Sequence, residues 1–447
     1  MNDFTWGFLL LLAGGLVLEL WLLRRQTLSV RTHSNRVPEA FAEKISLEQH
    51  RKAASYTLAN IRMEQIGLLF GAFLLLAFTL GGGLNWLDAW WQSLDIPALW
   101  QGTGLLLSVL ALSTLLELPL SAWRTFVVEE KFGFNRTTPR RFVTDQLLQL
   151  ILMLAITNPL VASILWLMEK AGDTWWIGAW LVWMSFTLFF TWAYPSVIAP
   201  LFNKFSPLQD LSLKERLEDL LLRCGFNSNG MFVMDGSRQS SHGNAYFSGF
   251  GKNKRIVFFD TLLKSLEADE IEAVLAHELG HFKRRHVLKM MLTMALISLL
   301  GLALLGWLMQ QPWFFEGLGA HHHSHAMALA LFLLVIPTFT TFFTPIFSSL
   351  SRKHEFEADN YAAQQSSAAA LISGLVKMYR DNASTLTPDP LYSAFHHSHP
   401  LPCALPIYPL NSSNRQIQAR THETAIDLYR SLHCAHCECR RIRRFPG

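Results

Sequence analysis

Cysteine is scarce in this sequence and unevenly placed. The chain of 447 residues contains 5 cysteines, and only Cys224 lies within the first 400 residues. A disulfide framework therefore does not support the main part of the fold, and this usage fits a soluble part that faces a reducing compartment.

Charge is also in short supply. Charged residues make up 16% of the chain, hydrophobic residues make up 51%, and the formal net charge is only +4. This composition is too apolar for an ordinary soluble domain and favours a membrane protein. The small net charge gives no case for nucleic-acid binding.

Long apolar runs are present instead. The run from Phe4 to Leu23 is followed by Arg24 and Arg25 and lacks the small-residue cleavage site of a signal peptide. It predicts a first transmembrane helix. Six further spans are predicted at roughly 66–87, 99–123, 147–168, 175–200, 287–309 and 326–349.

The loops between these spans alternate in charge. The loops rich in Lys and Arg are 24–65 and 124–146, and the loops without either are 88–98 and 311–325. The positive-inside rule then predicts that the amino terminus lies outside and that 201–286 and everything after 350 are cytoplasmic.

A metal-binding motif lies in the cytoplasmic part. His277 and His281 are four residues apart in a run that predicts a helix starting at Ser265, so they share one helical face. Two imidazoles on one face can bind one metal ion, and Glu278 then lies where it can take a proton from a water molecule. The alternative is a surface helix with incidental histidines.

A catalytic zinc site requires a third protein ligand. In a helical segment around residue 355, Glu355 and Asp359 share a face. Glu355 can then bind the metal while Asp359 holds the other ring nitrogen of a ligand histidine. Taken alone, this segment also fits an acidic helix start, but together the two segments favour zinc.

A small sheet is predicted before the metal-binding helix. The predicted elements are a helix at 213–224, strands at 230–234, 245–250 and 255–259, and a turn at 251–254. The segment Asn244 to Phe247 is the candidate exposed edge, where an extended peptide could pair as an added strand. A strand buried in the fold fits the same pattern.

Five segments of the chain form a specific combination: 128–136, 200–205, 241–247, 277–281 and 355–359. Together they resemble the type I CAAX prenyl protease family of membrane-spanning zinc endopeptidases. The resemblance covers roughly residues 1–400 and implies a seven-helix barrel around a water-filled chamber, closed by the zinc domain. It also implies zinc ligation by His277, His281 and Glu355, catalysis by Glu278, and substrate binding by Asn244 and Ala245.

The resemblance weakens near the end of the chain. His399, which precedes Pro400, matches the family's histidine that helps to hold the reacting oxyanion, but Leu405 stands where the family has an arginine. Residues 401–447 contain seven Arg and no Lys, and four of the five cysteines. We interpret this tail as frame-shifted or foreign sequence. The alternative is a second metal site at Cys434, Cys437, Cys439 and His436, although so few residues leave little loop to surround an ion.

The sequence therefore predicts a mainly α membrane protein with seven transmembrane helices and a cytoplasmic α+β zinc metalloprotease domain. Residues 1–200 would hold the first five spans, and 201–400 the peptidase domain with the last two. The expected activity is that of a zinc endopeptidase in a bacterial inner membrane, where it would act in membrane-protein quality control, or in an endoplasmic reticulum membrane, where it would cleave prenylated C-termini. The rival hypotheses are a non-catalytic transporter and a pseudo-protease.

Overall fold

The computed structural model describes residues 1–226, 228, 230–248 and 255–399, with only the backbone for 247 and 248. The predicted turn at 251–254 and the tail at 401–447 lie outside the described residues. So do the proposed second metal site and Leu405.

Helices dominate the described part of the chain. The first eight are α1 (Asp3–His33), α2 (Leu47–Phe78), α3 (Gly83–Gln92), α4 (Ala98–Trp123), α5 (Glu130–Phe132), α6 (Pro139–Lys170), α7 (Trp175–Ala193) and α8 (Ala199–Phe202). The next five are α9 (Leu211–Arg223), α10 (Asp260–Ser265), α11 (Ala268–Lys283), α12 (His286–Leu308) and α13 (Pro312–Gly317). The last four are α14 (His325–Thr340), α15 (Thr344–Gln365), α16 (Ala368–Asp381) and α17 (Pro390–His396).

Seven helical segments of the described chain are long and apolar enough to cross a membrane, as the sequence predicts. They are Asp3–His33, Leu47–Phe78, Ala98–Phe132, Pro139–Lys170, Gly172–Phe202, His286–Leu308 and His325–Gln365. Two of the long helices begin at capping boxes, formed by Asn2 with Thr5 and by Ser46 with Gln49. These caps satisfy backbone N–H groups that have no partner within the helix.

The predicted second span is wrong in its boundaries. It was expected at 66–87, but α2 ends at Phe78 and a separate short helix, α3, begins at Gly83. The intervening Gly82 has φ 79°, a left-handed conformation that glycine adopts without steric cost. Three consecutive glycines, at 81–83, are the signal in the sequence that the interpretation overlooked.

Two prolines lie within the fourth and fifth predicted spans, and both positions favour a kink. The structure differs between them. Pro195 lies in a π-helical turn, Tyr194–Ile198, which interrupts the fifth span. By contrast, α6 continues through Pro159 as one helix from Pro139 to Lys170. A second π-helical turn, Arg124–Glu129, lies at the end of α4. Such turns change the direction of a helix without ending it.

A four-stranded sheet precedes the metal-binding helix. Its strands are β1 (Phe205–Pro207), β2 (Met231–Met234), β3 (Ala245–Ser248) and β4 (Arg255–Phe259), in the order β1-β2-β4-β3. The inner strands β2 and β4 are parallel, and each outer strand is antiparallel to its neighbour. The sequence interpretation missed β1, a three-residue strand that ends in proline. It placed the other three strands correctly within the described residues.

Candidate active site

The metal-binding motif lies on α11. This helix begins at Ala268 rather than at the predicted Ser265, which instead ends α10. Glu267 caps α11 in a capping box with Glu270. The helix is anchored by two buried carboxylates, of Glu270 and Glu272, which face Lys377 at 2.8 Å and Arg223 at 2.8 Å. Buried charges of this kind require partners, and these pairs hold α11 in one position.

Helix α15 supplies the third candidate ligand and packs directly against α11. The contact depends on Gly280, because a Cβ atom there would lie 2.8 Å from Cα of Ala358. Only glycine allows this close approach of the two backbones. Glu355 and Asp359, one helical turn apart on α15, are both buried and face α11.

The three predicted ligands come together in the structure. Their donor atoms all lie within 4.8 Å of one another. Nε2 of His281 is 3.2 Å from Nε2 of His277 and 3.6 Å from a carboxylate oxygen of Glu355, and Nε2 of His277 is 3.4 Å from the other oxygen.

These spacings fit a metal ion. Ligand atoms about 2.0–2.2 Å from a tetrahedral metal are about 3.4 Å apart, which is the spacing found between the donors of His277, His281 and Glu355. Two imidazole nitrogens and one carboxylate leave a fourth position for water or substrate, the pattern of a catalytic site. The donor set therefore fits the metal that the motif implies.

Each candidate histidine ligand has an outer partner on the other ring nitrogen. Nδ1 of His277 is 2.7 Å from Oδ1 of Asp359. Nδ1 of His281 is 3.1 Å from Nδ1 of His286, whose Nε2 is 3.0 Å from the carboxylate of Glu357. Such partners fix the orientation of a ligand imidazole and leave Nε2 free to bind the metal.

Sequence reasoning missed His286. This buried side chain is 2% exposed, and its ring stacks on His354 at 4.1 Å between centroids. It reaches His281 because Arg285, which immediately precedes α12, has φ 56° in the left-handed region. A third histidine five residues after His281 was visible in the sequence, but nothing local predicted this turn.

The electrostatics of the site favour a positive charge. Burial lowers the pKa of His277, but hydrogen bonds with the carboxylates of Asp359 and Glu355 outweigh this and raise the pKa to about 10. A cation between these groups replaces the proton that they would otherwise attract. Burial also raises the pKa of Glu278, although His277 and His281 oppose the shift. A raised pKa suits a general base that works near neutral pH.

His399 joins the site from the segment after α17. Its Nδ1 lies 2.8 Å from Oε2 of Glu355, and this contact raises the pKa of His399. Arg352 holds the preceding turn, since its guanidinium donates a hydrogen bond to the carbonyl of His397 at 2.8 Å. The structure therefore brings His399 to the metal-binding cluster.

The candidate substrate strand β3 lies at the edge of the sheet formed by the described strands. Ala245 pairs with Phe258 of β4, and the carbonyl of Asn244 accepts a hydrogen bond from the N–H of Phe259. The Asn244 side chain is exposed. The preceding loop is held by Asn382, whose side-chain oxygen accepts the N–H of Gly243 at 3.1 Å.

Glu129 connects this loop to the membrane helices. Its carboxylate accepts the hydroxyl of Tyr56 at 2.7 Å and lies 3.6 Å from His242. The ring of His242 stacks on Phe134 at 4.4 Å. Two of the segments that carry the family resemblance, 128–136 and 241–247, are therefore in contact. Glu129 and Phe134 of the first segment hold His242 of the second in place.

Within the described residues, seven helical segments can span a membrane, and the donor atoms on α11 and α15 fit a metal ion. These features are those of an integral membrane metallopeptidase. Comparison with known proteins leads to the same class of protein. Residues 26–204 match the family model described as CAAX prenyl protease N-terminal, five membrane helices, and residues 207–403 match peptidase family M48.

Similar proteins occur in plants, fungi and animals. The CAAX prenyl protease 1 homolog of Oryza sativa subsp. japonica is 37% identical over 296 residues, which cover 66% of this chain and 70% of the relative. The Caenorhabditis elegans homolog is 30% identical over 88% of this chain and 95% of its own. The crystal structure of S. mikatae Ste24p matches with a TM-score of 0.84 at 30% identity, covering 91% of this chain and 98% of that one.

The chain belongs to the CAAX prenyl protease 1 family within peptidase family M48. The resemblance inferred from the sequence is confirmed, and so are the predicted fold class and the assignment as a membrane-bound metalloprotease. Membership excludes the transporter as a description of the whole protein.

Proposed function

We propose that the metal is Zn²⁺, one ion per chain, held by His277, His281 and Glu355. The spacing of the three donor atoms, 3.2 to 3.6 Å, is the observation that supports this most directly. Imidazole nitrogens favour zinc over magnesium or calcium, which prefer oxygen ligands. Asp359 and His286 would hold the two histidines in the orientation that zinc requires.

Two residues of the chain, Glu278 and His399, supply the other catalytic groups. A bound zinc would polarise the scissile carbonyl and make a water molecule more acidic. Glu278 takes a proton from that water and later gives it to the leaving amine. His399, whose pKa is raised by its contact with Glu355, donates to the oxyanion that develops on the carbonyl.

The edge strand β3 would hold the substrate. A polypeptide in extended form can add to this edge by backbone hydrogen bonds, with Asn244 and Ala245 at the beginning of the strand. The pairing of Ala245 with Phe258 and the contact of Asn382 with Gly243 hold this edge in place before substrate arrives.

The orientation in the membrane follows from charge. The loops 24–65 and 124–146 carry most of the basic residues between the early spans, so we place them, and the active site, in the cytoplasm. We retain the division into a membrane part, 1–200, and a peptidase part, 201–400. Resequencing the encoding DNA tests the interpretation of 401–447 as frame-shifted or foreign sequence, since recovery of the same sequence from the source DNA would contradict it.

The substrate is a membrane-associated polypeptide. The relatives' names favour a prenylated C-terminal peptide. If the host is bacterial, misfolded membrane proteins are the alternative substrates. The location is accordingly the bacterial inner membrane or the endoplasmic reticulum membrane.

Metal removal and three substrates test this proposal. The purified protein is stripped with a chelator and supplied with Zn²⁺ or Mg²⁺, and we expect only Zn²⁺ to restore cleavage. The substrates are a farnesylated C-terminal peptide, the same peptide without farnesyl, and an unfolded membrane protein. Preference for the farnesylated peptide supports the prenyl substrate, and cleavage of the unfolded protein supports quality control. Full activity after verified removal of the metal would contradict the metal-dependent mechanism.

A further inference from the structure

A groove between α1 and α2 contains three arginines that form no ion pair with any described residue. Arg24 and Arg31 of α1 and Arg62 of α2 line this cavity of about 440 Å³. The neighbouring Arg25 behaves differently, since its guanidinium pairs with Asp389 through two contacts, at 3.0 and 3.1 Å. The groove therefore carries an uncompensated positive charge, whereas the charge of Arg25 is neutralised by Asp389.

The rest of the groove is apolar or neutral. Leu20 comes from α1, Leu58 and Ile61 come from α2, and the lining includes no Asp or Glu. Arginines that form ion pairs within a protein face carboxylates, and the three arginines of this groove face none in its lining. Its ligand must supply negative charge and tolerate an apolar surface.

The position of the groove along the helices indicates the depth in the membrane. The apolar run from Phe4 to Leu23 has 20 residues, which at 1.5 Å per residue spans about 30 Å, the thickness of the hydrocarbon core. Arg24 therefore lies at the boundary between hydrocarbon and headgroups. Arg62 lies at the same boundary, because the apolar run of α2 begins one turn later at Ile66.

The arginines of the groove face away from the segment that leads to the active site. On the other side of the contact between α1 and α2, Glu19 lies 3.1 Å from His396, and Glu64 lies 3.3 Å from the hydroxyl of Tyr392. Helical periodicity separates Arg24 from Glu19 and Arg62 from Glu64. Leu58 and Ile61 form the floor of the groove, where they pack with Leu22 and Tyr392. Because α17 occupies the inner side, the groove opens toward the surrounding lipid.

We propose that this groove binds the headgroup of an anionic phospholipid. Arg24 and Arg62, which lie at headgroup depth on two adjacent helices, hold the phosphate, because guanidinium groups bind phosphate oxygens in a bidentate manner. Arg31 is about 10 Å further along α1 and contacts the polar end of the headgroup. Leu20 contacts the upper part of the acyl chains. Basic pockets between transmembrane helices bind lipid headgroups in this way.

Lipid titrations monitored by native mass spectrometry test the proposal. The full chain in detergent is titrated with phosphatidylglycerol and with phosphatidylcholine of the same acyl chains. The test variant combines Arg24→Gln, Arg31→Gln and Arg62→Gln. The control variant also removes three positive charges, at exposed positions outside the groove: Lys44→Gln, Arg51→Gln and Arg140→Gln.

We expect the unmodified protein to bind phosphatidylglycerol at least about tenfold more tightly than phosphatidylcholine. The test variant should lose about a hundredfold in phosphatidylglycerol affinity, since each basic residue near a membrane surface contributes about fivefold. The control should lose less than about threefold. Metal content of the variants shows whether they are folded. If the triple variant does not fold, Arg62→Gln alone should lower the affinity about fivefold.

Three results would overturn the proposal. One is equal affinity for the two lipids, and another is an equal loss in the control variant. The third is displacement of the bound lipid by millimolar inorganic phosphate, which would show that the groove selects free phosphate rather than a lipid headgroup.

Discussion

The metal-binding half of the site lies on two packed helices, whereas the groups that would bind the substrate and stabilise its oxyanion lie on a strand edge and on the segment after α17. Glu355 is 7% exposed and α11 contacts α15 backbone to backbone at Gly280, but the side chain of His399 is 67% exposed. Close packing fixes positions to within tenths of an ångström, and an edge or a loop does not.

This difference suits the chemistry of each half. A metal ion requires fixed donor distances, so its ligands lie in the packed region. A polypeptide must enter, pair and leave, so the groups that contact it lie where the chain can adjust. Changes to the metal ligands or to the packing that holds them should therefore remove metal and activity together, whereas changes in the other half should lower activity alone.

The largest effect is expected from Gly280→Val. The new Cβ would lie 2.8 Å from Cα of Ala358 and 3.0 Å from its carbonyl oxygen, so α11 and α15 must separate. We expect bound metal and cleavage to fall below detection, with a lower unfolding temperature. Gly71→Val is the matched control, because a Cβ there meets nothing within 4 Å. Metal content and thermal unfolding measure both, and normal metal binding by Gly280→Val would contradict the packing argument.

The next effect concerns the substrate-facing half. His399→Ala should keep about one metal ion per chain and lower kcat by about 10²–10³, the usual result of removing an oxyanion donor. KM should change much less than kcat, since the interaction forms in the transition state. The assay measures metal content and steady-state cleavage on one preparation. Loss of the metal would show that His399 belongs to the packed half.

The two outer partners of the histidine ligands should have smaller effects. Asp359→Asn and His286→Ala should each weaken metal affinity by about 10–100-fold, because they only orient His277 and His281. Competition with a chelator of known affinity measures this. His354→Ala is the control, since this ring stacks on His286 and forms no hydrogen bond with His277 or His281 among the described residues. A tenfold loss in the control would mean that general packing, rather than orientation, explains the effect.

The sequence predicted the parts of the site that depend on local helix geometry. His277 with His281, and Glu355 with Asp359, are pairs at a spacing of four residues, so one helical turn brings each pair to one face. The contact between α11 and α15 is between distant segments, and periodicity does not predict it. The roles of Gly280 and His286 depend on that packing and on the left-handed turn at Arg285, so both were missed.

Boundaries were predicted less well than the elements themselves. Hydropathy alone extended the second span across 81–83 because the apolar residues continue on both sides of the glycines. The start of α11 was misplaced at Ser265 because serine is a preferred cap, yet Glu267 caps the helix through its pair with Glu270. In both cases, contacts of the backbone decided the boundary.

The central claim is that binding of the metal and proton transfer belong to different residues one position apart on α11. The direct test measures metal content and cleavage of an unfolded membrane protein for Glu278→Gln and His277→Ala, side by side. We predict that Glu278→Gln retains about one metal ion per chain and loses cleavage, whereas His277→Ala loses both. A Glu278→Gln protein that still cleaves, or a His277→Ala protein that keeps its metal, would contradict the assignment.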